Sequence, residues 1–173
     1  MRRPSLLLVL VPAATVLAAL ALAEPPVSTA GWKTYRDPAF GFSLRYPDSL
    51  LILPETLPER RPSLLHRVAF LDRGLAASET AALQPPELAV EVFAPTSGPL
   101  RSWLEANGRL PAGASAAPLK SSGAREAVRV RDRRLSAPNE LVYYATERGV
   151  IALIPLGAAG SAMVGTFRLT EQN

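Results

Sequence analysis

The sequence predicts an α+β domain: a mainly antiparallel sheet of about six to eight strands, covered by one or two short helices, behind a secretory signal peptide. Three observations carry that expectation. Several short segments alternate apolar and polar residues with the two-residue period of a half-buried strand. Most connections between them are short enough for hairpins, which favours antiparallel pairing. The best helical periodicity in the mature chain lies between Pro99 and Gly108.

Met1-Arg2-Arg3 is a basic start, Leu6 to Leu22 an apolar run, and Ala21-Leu22-Ala23 a small-x-small cleavage site before Glu24. Signal peptidase has a narrow pocket, which Ala21 and Ala23 fit. The expected division is therefore a signal peptide over 1–23, a tether over 24–31 carrying Pro25 and Pro26, and one domain over 32–173. The alternative is an uncleaved membrane anchor, since the run approaches the length that spans a bilayer, although Pro12 and Thr15 weaken it. The expected location is outside the cytoplasm, periplasmic or extracellular.

No cysteine occurs, which excludes lipoprotein acylation and disulfides and leaves the fold to its core. Loss of Arg2 and Arg3 leaves 17 basic against 15 acidic residues, too balanced to favour nucleic acid as a partner. Arginine outnumbers lysine 17 to 2 and proline reaches 17, a pattern that fits a heat-adapted or GC-rich source.

The most regular strand is Phe40 to Tyr46, with Phe40, Phe42, Leu44 and Tyr46 on one face and Pro47 closing it. Trp32 to Arg36 precedes it as a hairpin partner across the Asp37-Pro38-Ala39 turn. Leu50 to Leu53 and Leu64 to Leu71 follow, the latter with Leu64, His66, Val68 and Phe70 on one face. Ser78 to Leu83 is a candidate helical turn. Glu87 to Phe93 alternates, with Leu88, Val90 and Val92 inward and Glu87, Ala89 and Glu91 outward.

Pro99 then opens the helix, Ser97 or Gly98 caps it, Leu100, Trp103 and Leu104 form its apolar stripe, and Gly108 ends it. Arg109 to Pro118 has no periodicity and reads as a mobile connector. Arg125 to Arg133 is a strand, and Glu140 to Thr146 and Val150 to Pro155 form a hairpin around Gly149. Leu156 to Gly160 reads as a glycine-rich loop and Met163 to Leu169 as a last strand.

Five features in this order carry a resemblance: Trp32-x-x-Tyr35, Gly41-Phe42-Ser43-Leu44-x-Tyr46-Pro47, a strand leading into the Leu100–Leu104 helix, Tyr143-Tyr144, and Phe167-Arg168-Leu169. Over most of Trp32 to Leu169 the chain resembles the PsbP-like superfamily. That group includes the lumenal extrinsic protein of photosystem II, a Ran-binding nuclear import factor and many bacterial exported proteins. Bacterial members often have a tryptophan just after Tyr-Pro, where this chain has Leu50 or Leu51. The resemblance implies an α/β/α sandwich and a binding or scaffolding role. It supplies no catalytic residue.

His66 is the single histidine, so the chain offers one imidazole where a zinc site needs several ligands. A small hydrolase using His66 is the enzymatic alternative, but no Gly-x-Ser-x-Gly elbow accompanies it. Arg125, Arg129, Arg131 and Arg133 share one strand parity, with successive members of the 129–133 run about 7 Å apart. Such a row grips an anionic surface or an acidic partner, unless neighbouring carboxylates, with Glu87 and Glu91 the first candidates, neutralise it.

Gly157 to Gly160 has no lysine and lacks the strand–helix context of a phosphate loop. Trp32, Tyr35, Tyr143 and Tyr144 read as core, with Tyr143 and Tyr144 on opposite faces. Glu55, Glu59 and Glu79 fall in expected loops with nothing to fix their spacing. These readings favour a monomeric, non-catalytic exported module that binds a protein or an envelope component, with no cofactor and no metal.

Overall fold

A computed structural model describes residues 27–54, 63–76, 84–132 and 139–170. Ala21, Ala23 and Glu24 of the cleavage site, Glu55, Glu59, Glu79, the candidate turn 78–83 and Arg133 lie outside the described residues. The elements are β1 (Lys33–Asp37), β2 (Phe42–Tyr46), β3 (Leu50–Pro54), β4 (Leu64–Asp72), α1 (Arg73–Ala76), β5 (Leu88–Phe93), α2 (Leu100–Ala106), β6 (Ser115–Pro118), β7 (Glu126–Arg131), β8 (Glu140–Ala145), β9 (Val150–Pro155), α3 (Ala158–Thr166) and β10 (Arg168–Leu169).

Among the described residues there are thus ten strands and three helices, more of both than the sequence predicts. They form two sheets rather than one. β1-β2-β10 make a small sheet, and β3-β4-β5-β9-β8-β7-β6 a large one, every neighbouring pair antiparallel. The mainly antiparallel α+β architecture is as expected, with a second, small sheet added to the helical cover. One face of the large sheet is covered by the small sheet together with α3, and the other by α2.

The β1–β2 hairpin turns on Asp37. Its carboxylate accepts the Phe40 amide at 3.1 Å and its carbonyl accepts the Gly41 amide at 2.8 Å. Gly41 adopts φ +67°, a left-handed backbone that glycine takes without a Cβ clash. This turn consumes Phe40 and Gly41, so β2 starts at Phe42. Phe42 and Leu44 then drive fully into the first core, against Phe70, Leu153, Met163 and Phe167.

The second core gathers Leu100 and Leu104 of α2 with Phe93, Tyr143, Val150 and Ala152. Trp103 packs on Phe93 with ring centroids 5.3 Å apart, the burial that a seven-residue helix needs. Its first turn is not capped by Ser97 or Gly98. Pro99 occupies the N-cap, and the Leu100 amide donates to the Glu126 carboxylate of β7 at 2.9 Å.

Three local expectations fail for long-range reasons. β5 lies third among seven strands and is buried along all six residues, so Glu91 is interior rather than outward. A register shift between Leu64 and His66 sends Leu64 into the second core while Val68 and Phe70 stay in the first. Residues 158–166 are helix, not loop and strand. A Cβ on Gly160 would overlap the Glu87 carbonyl, so the small residues there let α3 lie directly on the entry to β5. The 109–118 connector also contains β6, which pairs with β7.

Candidate functional site

β7 lies next to the edge strand β6, beyond the cover that the first core receives, and its outward side chains include Arg129 and Arg131. The carboxylate between them is Glu140 of β8, not Glu87 or Glu91. Arg129 Nε reaches one Glu140 oxygen at 3.1 Å, and Arg131 reaches the other through Nη2 at 2.5 Å and Nε at 3.2 Å. Both guanidiniums remain nearly half exposed. Arg125 stands apart, just before β7. Its Nη2 donates to the carbonyls of Thr96 and Gly98 at 2.6 and 3.2 Å and so ties the loop before α2 to the sheet.

Glu91 and Glu87 are occupied elsewhere. Glu91 lies in the second core between Arg67 at 3.4 Å and Arg109 at 3.0 Å. Arg109 also stacks its guanidinium over the Phe93 ring at 4.6 Å. The supposed mobile connector is therefore pinned at its first residue. The Glu87 carboxylate sits against Gly157 at the start of α3.

His66 occupies the seam between the two sheets. Its Nε2 lies 3.2 Å from the carboxylate of Asp37, and its ring stacks on Phe40 at 5.5 Å. The Tyr35 hydroxyl donates to the same Asp37 oxygen at 3.3 Å. Burial first, and then the Asp37 charge, push the Tyr35 phenol up to about 12. A histidine held by a buried aspartate is two thirds of a hydrolytic relay. Among the described residues, no serine hydrogen-bonds to His66, and no group of three His, Cys, Asp or Glu side chains is placed to hold a metal.

Tyr143 and Tyr144 point to opposite faces, as their adjacency requires. Tyr143 is buried in the second core. Tyr144 stacks on Phe167 at 4.7 Å in the first. Burial raises both phenols; Arg109 opposes the rise at Tyr143, and Arg129 and Arg168 oppose it at Tyr144.

Open grooves occupy the surface. One of about 650 Å³ runs past Phe40, Gly41, Arg125, Thr146 and Arg148. Arg148 bridges the hairpin tips there, donating to the Pro38 carbonyl at 2.7 Å. A second, of about 560 Å³, lies against β2 and includes Arg45 and Arg168. No motif in the sequence marks Arg36, Arg45, Arg168 or Lys120 as site residues. The signal for Arg45 was present, because Ser43 and Arg45 are the polar half of the strand's alternation.

None of the described helices is long and apolar enough to cross a membrane. No family model matches the chain, and no curated protein matches it. Among solved structures it is similar to the solution structure of cyanobacterial PsbP (CyanoP) from Synechocystis sp. PCC 6803, at 12% identity and a TM-score of 0.44, over 85% of this chain and 97% of that one.

Proposed function

We propose that the protein is an exported, non-catalytic binding module of PsbP-like type. It contacts a protein or an envelope component through the basic end of β7. One observation carries this reading: two guanidiniums, Arg129 and Arg131, share the single carboxylate of Glu140. One positive charge is left in excess on an exposed strand face, where a partner's acidic group completes the pairing. Arg125 acts as a loop tie.

The test is affinity capture from the envelope fraction of the source cells, with the exported chain as bait. The expected result is a partner held by the unmodified protein and released by the R129Q/R131Q double variant. Equal capture by both proteins, or no partner at all, refutes the reading. N-terminal sequencing beginning at Glu24 establishes release from the membrane, and an intact Met1 establishes anchoring.

The His66–Asp37 pair supports a second reading, a small hydrolase. A hydrolytic activity on a broad ester and amide panel that disappears in His66→Ala would establish it. An activity indifferent to that change, or none, removes it.

A further inference from the structure

We infer that the outer face of the small sheet is a binding site for a phosphate ester. Cross-strand register sets Arg36 opposite Ser43, and Ser43 opposite Arg168. Arg45 follows Ser43 by two residues on β2 and shares its face. Phe42 and Leu44 fill the other face of that strand, so this set points outward. Three guanidiniums thus surround one hydroxyl at the spacings a sheet imposes, about 5 Å between strands and about 7 Å along one. Thr34, opposite Arg45, adds a second hydroxyl.

Ser43, Arg45 and Arg168 line the groove of about 560 Å³ together with Thr29, Thr34 and Thr166. Arg168 and Gly165 are shared with an adjoining groove of about 290 Å³, which brings in Lys120, Ser121, Ser122 and Tyr144. No carboxylate lines either groove. Among the described residues, Arg36 and Lys120 make no hydrogen bond or ion pair. Arg45 donates to the carbonyl and hydroxyl of Thr29, at 2.8 and 3.4 Å. Arg168 uses one terminal nitrogen on the Gly165 and Phe167 carbonyls, at 3.2 and 2.6 Å. None of these four cations is neutralised.

Like charges on neighbouring strands repel, and an anion relieves that repulsion. A planar carboxylate spreads one charge over two oxygens, whereas a tetrahedral phosphate presents more acceptor oxygens in three dimensions, enough for several guanidiniums and a hydroxyl at once. The adjoining groove, with its serines and the Tyr144 ring, gives room for the organic part of an ester. A soluble phosphate ester and a phospholipid headgroup share this chemistry. The site does not rest on the β7 row, so either can fail alone.

The experiment follows backbone amide signals of the exported chain on titration with glycerol 3-phosphate, and its sedimentation with phosphatidylglycerol vesicles against phosphatidylcholine vesicles. The expected result is saturable perturbation centred on Thr34, Ser43, Arg45 and Gly165. R36Q/R168Q should weaken it about tenfold or more, and R129Q/R131Q should leave it in place. Circular dichroism establishes that the variant is folded, and R36Q alone serves if the double variant is not. Response to the soluble ester, or to phosphatidylglycerol alone, supports the site and identifies its source. No response to either, a response that R36Q/R168Q and R36Q leave intact, or binding of an oligoglutamate peptide without any phosphate response overturns it.

Discussion

Gly160 of α3 rests on the carbonyl of Glu87 with no room for a side chain between them. Gly165, one turn further along the same helix, has open space around the position of its missing Cβ. The two glycines therefore separate close approach from helix propensity. Gly160→Ala must push α3 off the sheet and should cost about 1–3 kcal/mol. Gly165→Ala removes only backbone freedom and should be neutral or stabilise by up to about 1 kcal/mol. Denaturant midpoints of the two variants decide it, and equal destabilisation by both contradicts the packing of α3.

Glu91 neutralises two arginines from inside the second core. Its replacement by Gln removes the charge that Arg67 and Arg109 share. A loss of about 3 kcal/mol is expected, reduced from the fully buried case because both arginines keep some solvent contact. Hydrogen exchange should accelerate over Arg109 to Ala114, since Arg109 anchors that stretch. An unchanged exchange pattern there would show that the connector is held by something else.

Glu126 caps α2 from a different element, through the Leu100 amide. Glu126→Ala should lower stability by about 1 kcal/mol. Ser97→Ala should have no effect on α2, because Ser97 does not cap its first turn. Thermal melts of both variants make the comparison.

The Tyr35 phenol is raised to about 12 from the ordinary tyrosine value of 10.0, chiefly by burial and then by Asp37. A raised phenol favours the protonated folded state. Its contribution is complete below the ordinary tyrosine range and is lost as pH climbs from about 10 toward about 12. Ultraviolet titration of phenolate absorbance should show late-ionising groups, one fewer of them in Tyr35→Phe. The same variant should flatten the alkaline decline in stability.

Legibility in the sequence followed the range of the interactions. Strict alternation in Phe40 to Tyr46, which holds as strand from Phe42 onward, and the forced opposition of Tyr143 and Tyr144 are local facts. So is the Leu100, Trp103, Leu104 stripe. Whether a face meets water is not local. Glu91 alternates like an outward residue, yet β5 is covered on both sides and two arginines from distant segments meet it. One extra residue near Leu64 reverses its side without marking the sequence. The α3 segment reads as a loop because its glycines and alanines carry no stripe, and only contact with Glu87 explains them.

The candidate site divides along the same line. The β7 arginines were visible as a row, but their shared partner Glu140 depends on strand pairing. The ring of Arg36, Arg45 and Arg168 needs three strands in register, with β10 more than a hundred residues from the other two.

Arg45 also grips the Thr29 carbonyl, at the rim of the groove that it helps to line. Thr29, near the start of the described residues, therefore lies on the guanidinium-bearing side. Any cargo or anchor fused there, natural or engineered, is docked next to that side and can shade it. β10, at the other end of the described chain, borders the same groove, so a tag at either terminus would compete with ligand for access.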